Sequence, residues 1–123
     1  MSIVEGLWKS SFLDNSPLYK IIDDYTKDKK FHRKVAFQSV DMTSGKVVIF
    51  DENTPSELRT QAIVSSGSLP IIFPPQLIEN LVLVDGGVFT NLDLAETIVK
   101  CRQEGVQDED IIVDVVMCFD KAI

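Results

Sequence analysis

The chain has 123 residues, 12 basic and 19 acidic side chains and a formal charge of −7, with 45% apolar residues. That is the make-up of one ordinary globular domain, long enough to build a single core. Net acidity with only three arginines (Arg33, Arg59 and Arg102) argues against nucleic acid as a partner, and no apolar run approaches the roughly 20 residues that span a bilayer.

The opening Met1-Ser2-Ile3-Val4-Glu5-Gly6 has neither the basic stretch nor the apolar run of a secretory signal. Cys101 and Cys118 show no metal-type spacing, so reduced, structural thiols in a cytoplasmic setting are expected. Ser16-Pro17 reads as an N-cap followed by proline at the first helical position. Leu18, Ile21, Ile22 and Tyr25 then recur at helical spacing, which predicts an amphipathic helix over residues 17–27. The charged run Lys27-Asp28-Lys29-Lys30-Phe31-His32-Arg33-Lys34 reads as a solvated connection, with weak contact to an anionic surface as its functional alternative.

Residues 34–41 alternate, with Val35 and Phe37 on one face, before the turn-forming Met42-Thr43-Ser44-Gly45. Val47-Val48-Ile49-Phe50 follows, so residues 34–50 are expected to form a β-hairpin. Thr54-Pro55-Ser56-Glu57 has the pattern of a capping box and predicts a helix running to about Ser65. Residues 67–75 are apolar but contain Pro70, Pro74 and Pro75, which predicts a buried, irregular segment. Leu81-Val82-Leu83-Val84 lacks polar alternation, as in a strand covered on both faces. A helix over residues 93–103 would turn Leu94, Ile98 and Cys101 inward and stop at Gly105. Residues 111–119 read as a last, β-branched strand. Strand, helix and strand from residue 81 to residue 119 imply a right-handed parallel crossover, hence an α/β fold. The acidic Asp108-Glu109-Asp110 lacks the ligand order of a calcium loop and reads as solvated.

The most informative position is Asp85, followed by Gly86 and Gly87. A carboxylate at the C-terminal end of a buried strand lies where open α/β sheets place ligands and catalytic groups. The two glycines would let the backbone turn sharply and leave room beside the carboxylate. The same tripeptide is also a common turn in which aspartate caps its own backbone. From these residues alone both readings stand.

The segment Ala62-Ile63-Val64-Ser65-Ser66-Gly67-Ser68-Leu69-Pro70-Ile71-Ile72-Phe73-Pro74-Pro75, then Val84-Asp85-Gly86-Gly87-Val88, then Asn91, resembles the patatin-like phospholipases. Asn15-Ser16-Pro17-Leu18 and the hairpin with Thr43-Ser44-Gly45 are similar to the family in the same order. The likeness spans roughly residues 6–119 and is most specific over residues 62–91. It implies a three-layer α/β/α fold with a mostly parallel sheet and a β-hairpin, of which residues 1–123 would form one partial domain, the C-terminal half. It also implies a lipid or acyl-ester substrate, a cytoplasmic protein with transient contact to membrane surfaces, and no cofactor or metal. Asp85 then matches the aspartate of a Ser–Asp dyad, with Gly86, Gly87 and Asn91 supporting the motif. In that chemistry a serine attacks the ester carbonyl and water hydrolyses the acyl-enzyme, while the aspartate orients or deprotonates the serine. A carboxylate is a feeble base in water, so the role needs a partly desolvated site and a short bond to the hydroxyl.

The family's nucleophile sits in a Gly-x-Ser-x-Gly elbow, and no such pentapeptide occurs in this sequence. Ser65-Ser66-Gly67-Ser68 is the nearest imitation, but it matches the segment before the prolines rather than the elbow. The glycine-rich oxyanion loop is absent as well, and losing one such donor typically costs about a hundredfold or more in rate. After the glycines the run Asn91-Leu92-Asp93-Leu94 lacks the family's usual proline; Asn91 fits as an N-cap and Asp93 as a first-turn acid. The expected function is part of a serine lipid acyl hydrolase that is inactive by itself, and the alternative is a non-catalytic module binding lipid or protein. Without the family's N-terminal half, apolar strand edges and faces would be exposed, so the expected partners are that half or a second copy.

Overall fold

The computed structural model describes residues 11–90 and 92–116. The chain divides between Asp93 and Leu94 into two compact units.

The first unit opens with helix α1 (Ser16–Thr26). Asn15, not Ser16, takes the N-cap position, because the Asp14 carboxylate accepts from the Ser16 N–H at 2.9 Å and its hydroxyl at 2.6 Å and draws Ser16 into the first turn. The predicted apolar stripe is not a core face: Leu18, Ile21 and Tyr25 are exposed. Polar contacts attach the helix instead, through Thr60 Oγ1 donating to Asp23 at 2.9 Å and meeting Thr26 Oγ1 at 3.2 Å.

Strands β1 (Ala36–Asp41) and β2 (Val47–Asp51) form the expected hairpin, antiparallel with Phe37 opposite Phe50 and Ser39 opposite Val48. Gly45 adopts φ +70 in the turn, a conformation that glycine takes without strain. Helix α2 (Ser56–Ser65) begins where expected, but the capping box does not form. Pro55 occupies the N-cap, and the Thr54 hydroxyl accepts from the Asp51 N–H at 2.9 Å, closing the preceding turn instead. Strands β3 (Gln76–Ile78) and β4 (Leu81–Asp85) complete a sheet of order β2-β1-β4-β3. One face packs on α2 through Ala62, Ile78 and Leu83, with Phe37, Val48, Phe50, Leu58 and Leu81 around them. Val40, Val82 and Val84, on the other face, are also buried. The unalternating run in β4 is therefore covered on both sides, as its composition requires.

Among the described residues the mostly parallel sheet is not observed. Each strand pairing is antiparallel, β1 with β2 and with β4, and β3 with β4. Glu79 and Asn80 join β3 to β4, and a link that short permits only an antiparallel pair. β1 and β3 then occupy both edges of β4, which leaves no edge beside it for a parallel partner. Residues 111–116 contain no strand, and the rest of the predicted last strand, residues 117–119, lies outside the described residues.

The proline-rich segment 67–75 is irregular as expected but only partly buried. Ser68, Pro74 and Pro75 are enclosed, whereas Leu69, Ile71 and Ile72 are exposed. Ile71 has φ +73, an uncommon conformation for a β-branched residue. Its carbonyl and that of Ile72 accept from the N–H groups of Phe12 and Leu13 at 3.1 and 2.9 Å. Pro70, Phe73 and Pro75 line a small apolar cavity of about 80 Å³ with Val84 and Met42, which places this segment against the sheet.

Asp41, at the end of β1, is buried and organises the hairpin turn. Its carboxylate accepts from the Ser44 hydroxyl at 2.6 Å, the Thr43 hydroxyl at 2.8 Å, both backbone N–H groups, and the Val82 N–H of β4 at 3.2 Å. The Ser44 bond, helped by those from Thr43 and Val82 and opposed by burial, lowers its pKa to about 2. The folded value thus lies below the unfolded one near 3.9, so the stabilisation is complete above about pH 4 and fades as pH falls toward 2. Asp41→Ala is expected to destabilise the chain by about 2–3 kcal/mol at neutral pH, because the buried Val82 N–H loses its acceptor. Urea midpoints measured from neutrality into the acid range should converge for the two proteins; parallel curves would exclude Asp41 as the titrating group.

The second unit holds helix α3 (Leu94–Gln103). Gly105, at φ +82, donates to the Arg102 carbonyl and Val106 donates to that of Cys101, the paired bonds of a Schellman stop. Asp93 precedes the helix rather than lying in its first turn. Arg102 grips Asp108 with two bonds of 2.7 Å, both residues exposed. Cys101 is half-buried rather than buried, and Cys118 lies outside the described residues. Among the described residues no helix is long and apolar enough to cross a membrane.

Candidate functional site

Asp85 ends β4, half-buried, with its N–H bonded to the Ser68 carbonyl at 2.9 Å. Its Oδ1 accepts from the Gly87 N–H at 2.9 Å and caps the single 3-10 turn Gly86–Val88. No described residue bonds Oδ2. The carboxylate is therefore held by one oxygen and presents the other.

Close packing fixes the turn after Asp85. Gly86 is buried, and a Cβ there would lie 2.4 Å from Gln38 Cγ and 2.5 Å from the Gln38 carbonyl oxygen. Glycine is needed for this approach and not for an unusual turn, since among the described residues the left-handed glycines are Gly45 and Gly105. Gln38 Nε2 then donates to the Thr90 carbonyl at 2.6 Å, while the N–H groups of Phe89 and Thr90 both donate to the Gly86 carbonyl at 2.9 and 3.1 Å. Residues 85–90 are thus strapped to β1. Asn91 lies outside the described residues.

Ser39 stands directly opposite Asp85 in the β1–β4 pair, so both side chains project from the same sheet face. The Ser39 and Ser65 hydroxyls lie 2.7 Å apart and are fully buried. Ser65, Ser66 and Ser68 each bond a carbonyl of α2, those of Ala62, Ile63 and Val64, at 2.8, 2.7 and 2.8 Å. These are helix-end hydroxyls with local acceptors, and none bonds the Asp85 carboxylate. They brace the base of the site without offering it a nucleophile.

Sequence reading misses Gln38 and Ser39. Their signal is a polar pair between Phe37 and Val40 of β1, which reads equally well as solvated alternation. Val88 and Phe89, beside the carboxylate in sequence, are 58% and 69% exposed and leave an apolar rim. His32 is exposed, in keeping with a solvated connection.

A comparison with curated proteins gave no match. The sequence model of the family described as patatin-like phospholipase matches residues 2–98, which contain both the hairpin and the whole of the Asp85 turn. The chain belongs to the patatin-like phospholipase family.

Proposed function

We propose that this chain carries the aspartate of a Ser–Asp lipid acyl hydrolase and works only with the segment that supplies the serine. The observation that supports this most is Asp85 itself, a carboxylate at a strand end with one oxygen fixed by the Gly87 N–H and the other presented. A serine hydroxyl delivered to Oδ2 would pass its proton there as Oγ attacks the ester carbonyl. The leaving alcohol would depart with a proton, and water would then hydrolyse the acyl-enzyme. The exposed apolar side chains of Ile71, Val88 and Phe89 suit either an acyl chain or the nucleophile-bearing segment. The lipid class rests on the family alone.

Labelling with a fluorophosphonate serine probe tests this reading. The chain of residues 1–123 is expected to remain unlabelled and to hydrolyse a chromogenic short-chain ester no faster than its Asp85→Ala variant. A form extended upstream to include a Gly-x-Ser-x-Gly elbow is expected to label. Labelling of the 123-residue chain, or failure of the extended form, would overturn the assignment.

A further inference from the structure

The charged run at residues 27–34 folds into something the dyad chemistry does not use. With the N-terminus of α2 it encloses an open cleft of about 560 Å³, whose wall includes Lys29, Lys30, Phe31, Ser56 and Arg59. Arg59 is only 8% exposed, lies 4.8 Å over the Phe31 ring, and donates to the carbonyls of Lys29 and Thr54. Those carbonyls take two of the five guanidinium donors. Its Nε is buried and bonds nothing, and no described carboxylate pairs with it. A buried cation held only by two neutral carbonyls and an aromatic face is costly, and an anion would offset that cost.

A second feature points the same way. α2 is a ten-residue helix whose start has no side-chain cap; the Leu58 N–H is taken by the Pro55 carbonyl at 3.0 Å, while Ser56, the first residue of the helix, lines the same cleft and brings the positive end of the helix to it. Glu57, the acid in the first turn of α2, is exposed, accepts from the Ser56 hydroxyl at 3.3 Å and does not line the cleft. Glu52 is engaged by Lys34 Nζ at 3.0 Å and the Val35 N–H at 3.3 Å, which leaves exposed Asp28 against Lys29, Lys30 and Arg59. Lys29 rests 5.6 Å above the Tyr25 ring on an exposed, flexible stem that reaches the cleft.

The geometry points to a binding site for a phosphate monoester in this cleft, formed by Arg59, Lys29, Lys30 and the N-terminus of α2. A dianion of tetrahedral oxygens uses converging donors that a single carboxylate would leave unmatched. The site does not depend on the role of Asp85.

Thermal unfolding of the 123-residue chain in inorganic phosphate, against potassium chloride at matched ionic strength, is the test. Phosphate at about ten times its dissociation constant is expected to raise Tm by roughly 3–6 °C. Lys29→Gln with Lys30→Gln, two exposed positions, should abolish most of that rise, each protein being compared with its own Tm in chloride. Equal Tm in the two salts, or an undiminished rise in the double variant, would overturn the proposal. Glycerol 3-phosphate and vesicles of phosphatidylcholine with or without phosphatidic acid separate the sources. A shift with the soluble ester assigns a free metabolite-type phosphate, whereas vesicle binding that needs both phosphatidic acid and the two lysines assigns a lipid headgroup.

Discussion

Gly86→Ala is expected to lower stability by about 2–3 kcal/mol, more than most single methyl additions. The added Cβ would fall 2.4 Å from Gln38 Cγ and 2.5 Å from the Gln38 carbonyl oxygen. The side-chain atom can swing away, but the carbonyl belongs to β1, in the middle of the sheet, and cannot. Either β4 retreats from β1 at its end or the turn 86–90 lifts off, and both displace Asp85. Gly67→Ala is the matched control, because a Cβ there meets nothing within 4 Å. Its effect should stay within about 0.5 kcal/mol. Gln38→Ala, which removes the strap to Thr90, should cost about 1 kcal/mol alone. Combined with Gly86→Ala it should recover only part of the loss, since it relieves the Cγ contact and leaves the carbonyl. Urea unfolding of the four proteins checks the set, and near-neutral behaviour of Gly86→Ala would show that the close approach of turn and strand is not required.

The elements legible in the sequence are those whose cause is local. The 34–50 hairpin has its own turn residues, β4 is apolar on both faces, and Gly105 stops a helix wherever it sits. What is not legible depends on partners distant in the chain. The sheet is antiparallel because Glu79 and Asn80 fold β3 back on β4, a two-residue link whose left-handed Glu79 carries no glycine signal. Thr54 has a capping partner in Glu57, yet its hydroxyl goes to Asp51, three residues upstream. Asp41 looks like the end of a strand, and only the fold brings the Val82 N–H to it. In the candidate site Asp85 and Gly86 stand out by residue type, whereas Gln38 acquires its role from the pairing of β1 with a strand far along the chain.

Asp85→Asn separates catalysis from architecture at this site. The amide oxygen can still accept from the Gly87 N–H, so the 3-10 turn and the strap to β1 should survive, with stability changed by less than about 0.5 kcal/mol. What is lost is the ability to take a proton. In the form that carries the elbow serine, kcat is expected to fall by about 10²- to 10⁴-fold with little change in KM, the usual contribution of a positioned base. Fluorophosphonate labelling should slow in parallel, since the probe needs the same activated hydroxyl. Asp85→Ala should add a structural penalty of about 1 kcal/mol, because the turn loses its cap. The difference between the two variants is the diagnostic. If Asp85 merely caps a turn, Asn should behave as wild type and Ala should lose stability alone. If it is the dyad base, both should lose turnover to a similar extent while only Ala is destabilised. An Asn variant that keeps most of its turnover would leave Asp85 as a capping residue, and the proton acceptor would then have to come from outside this chain.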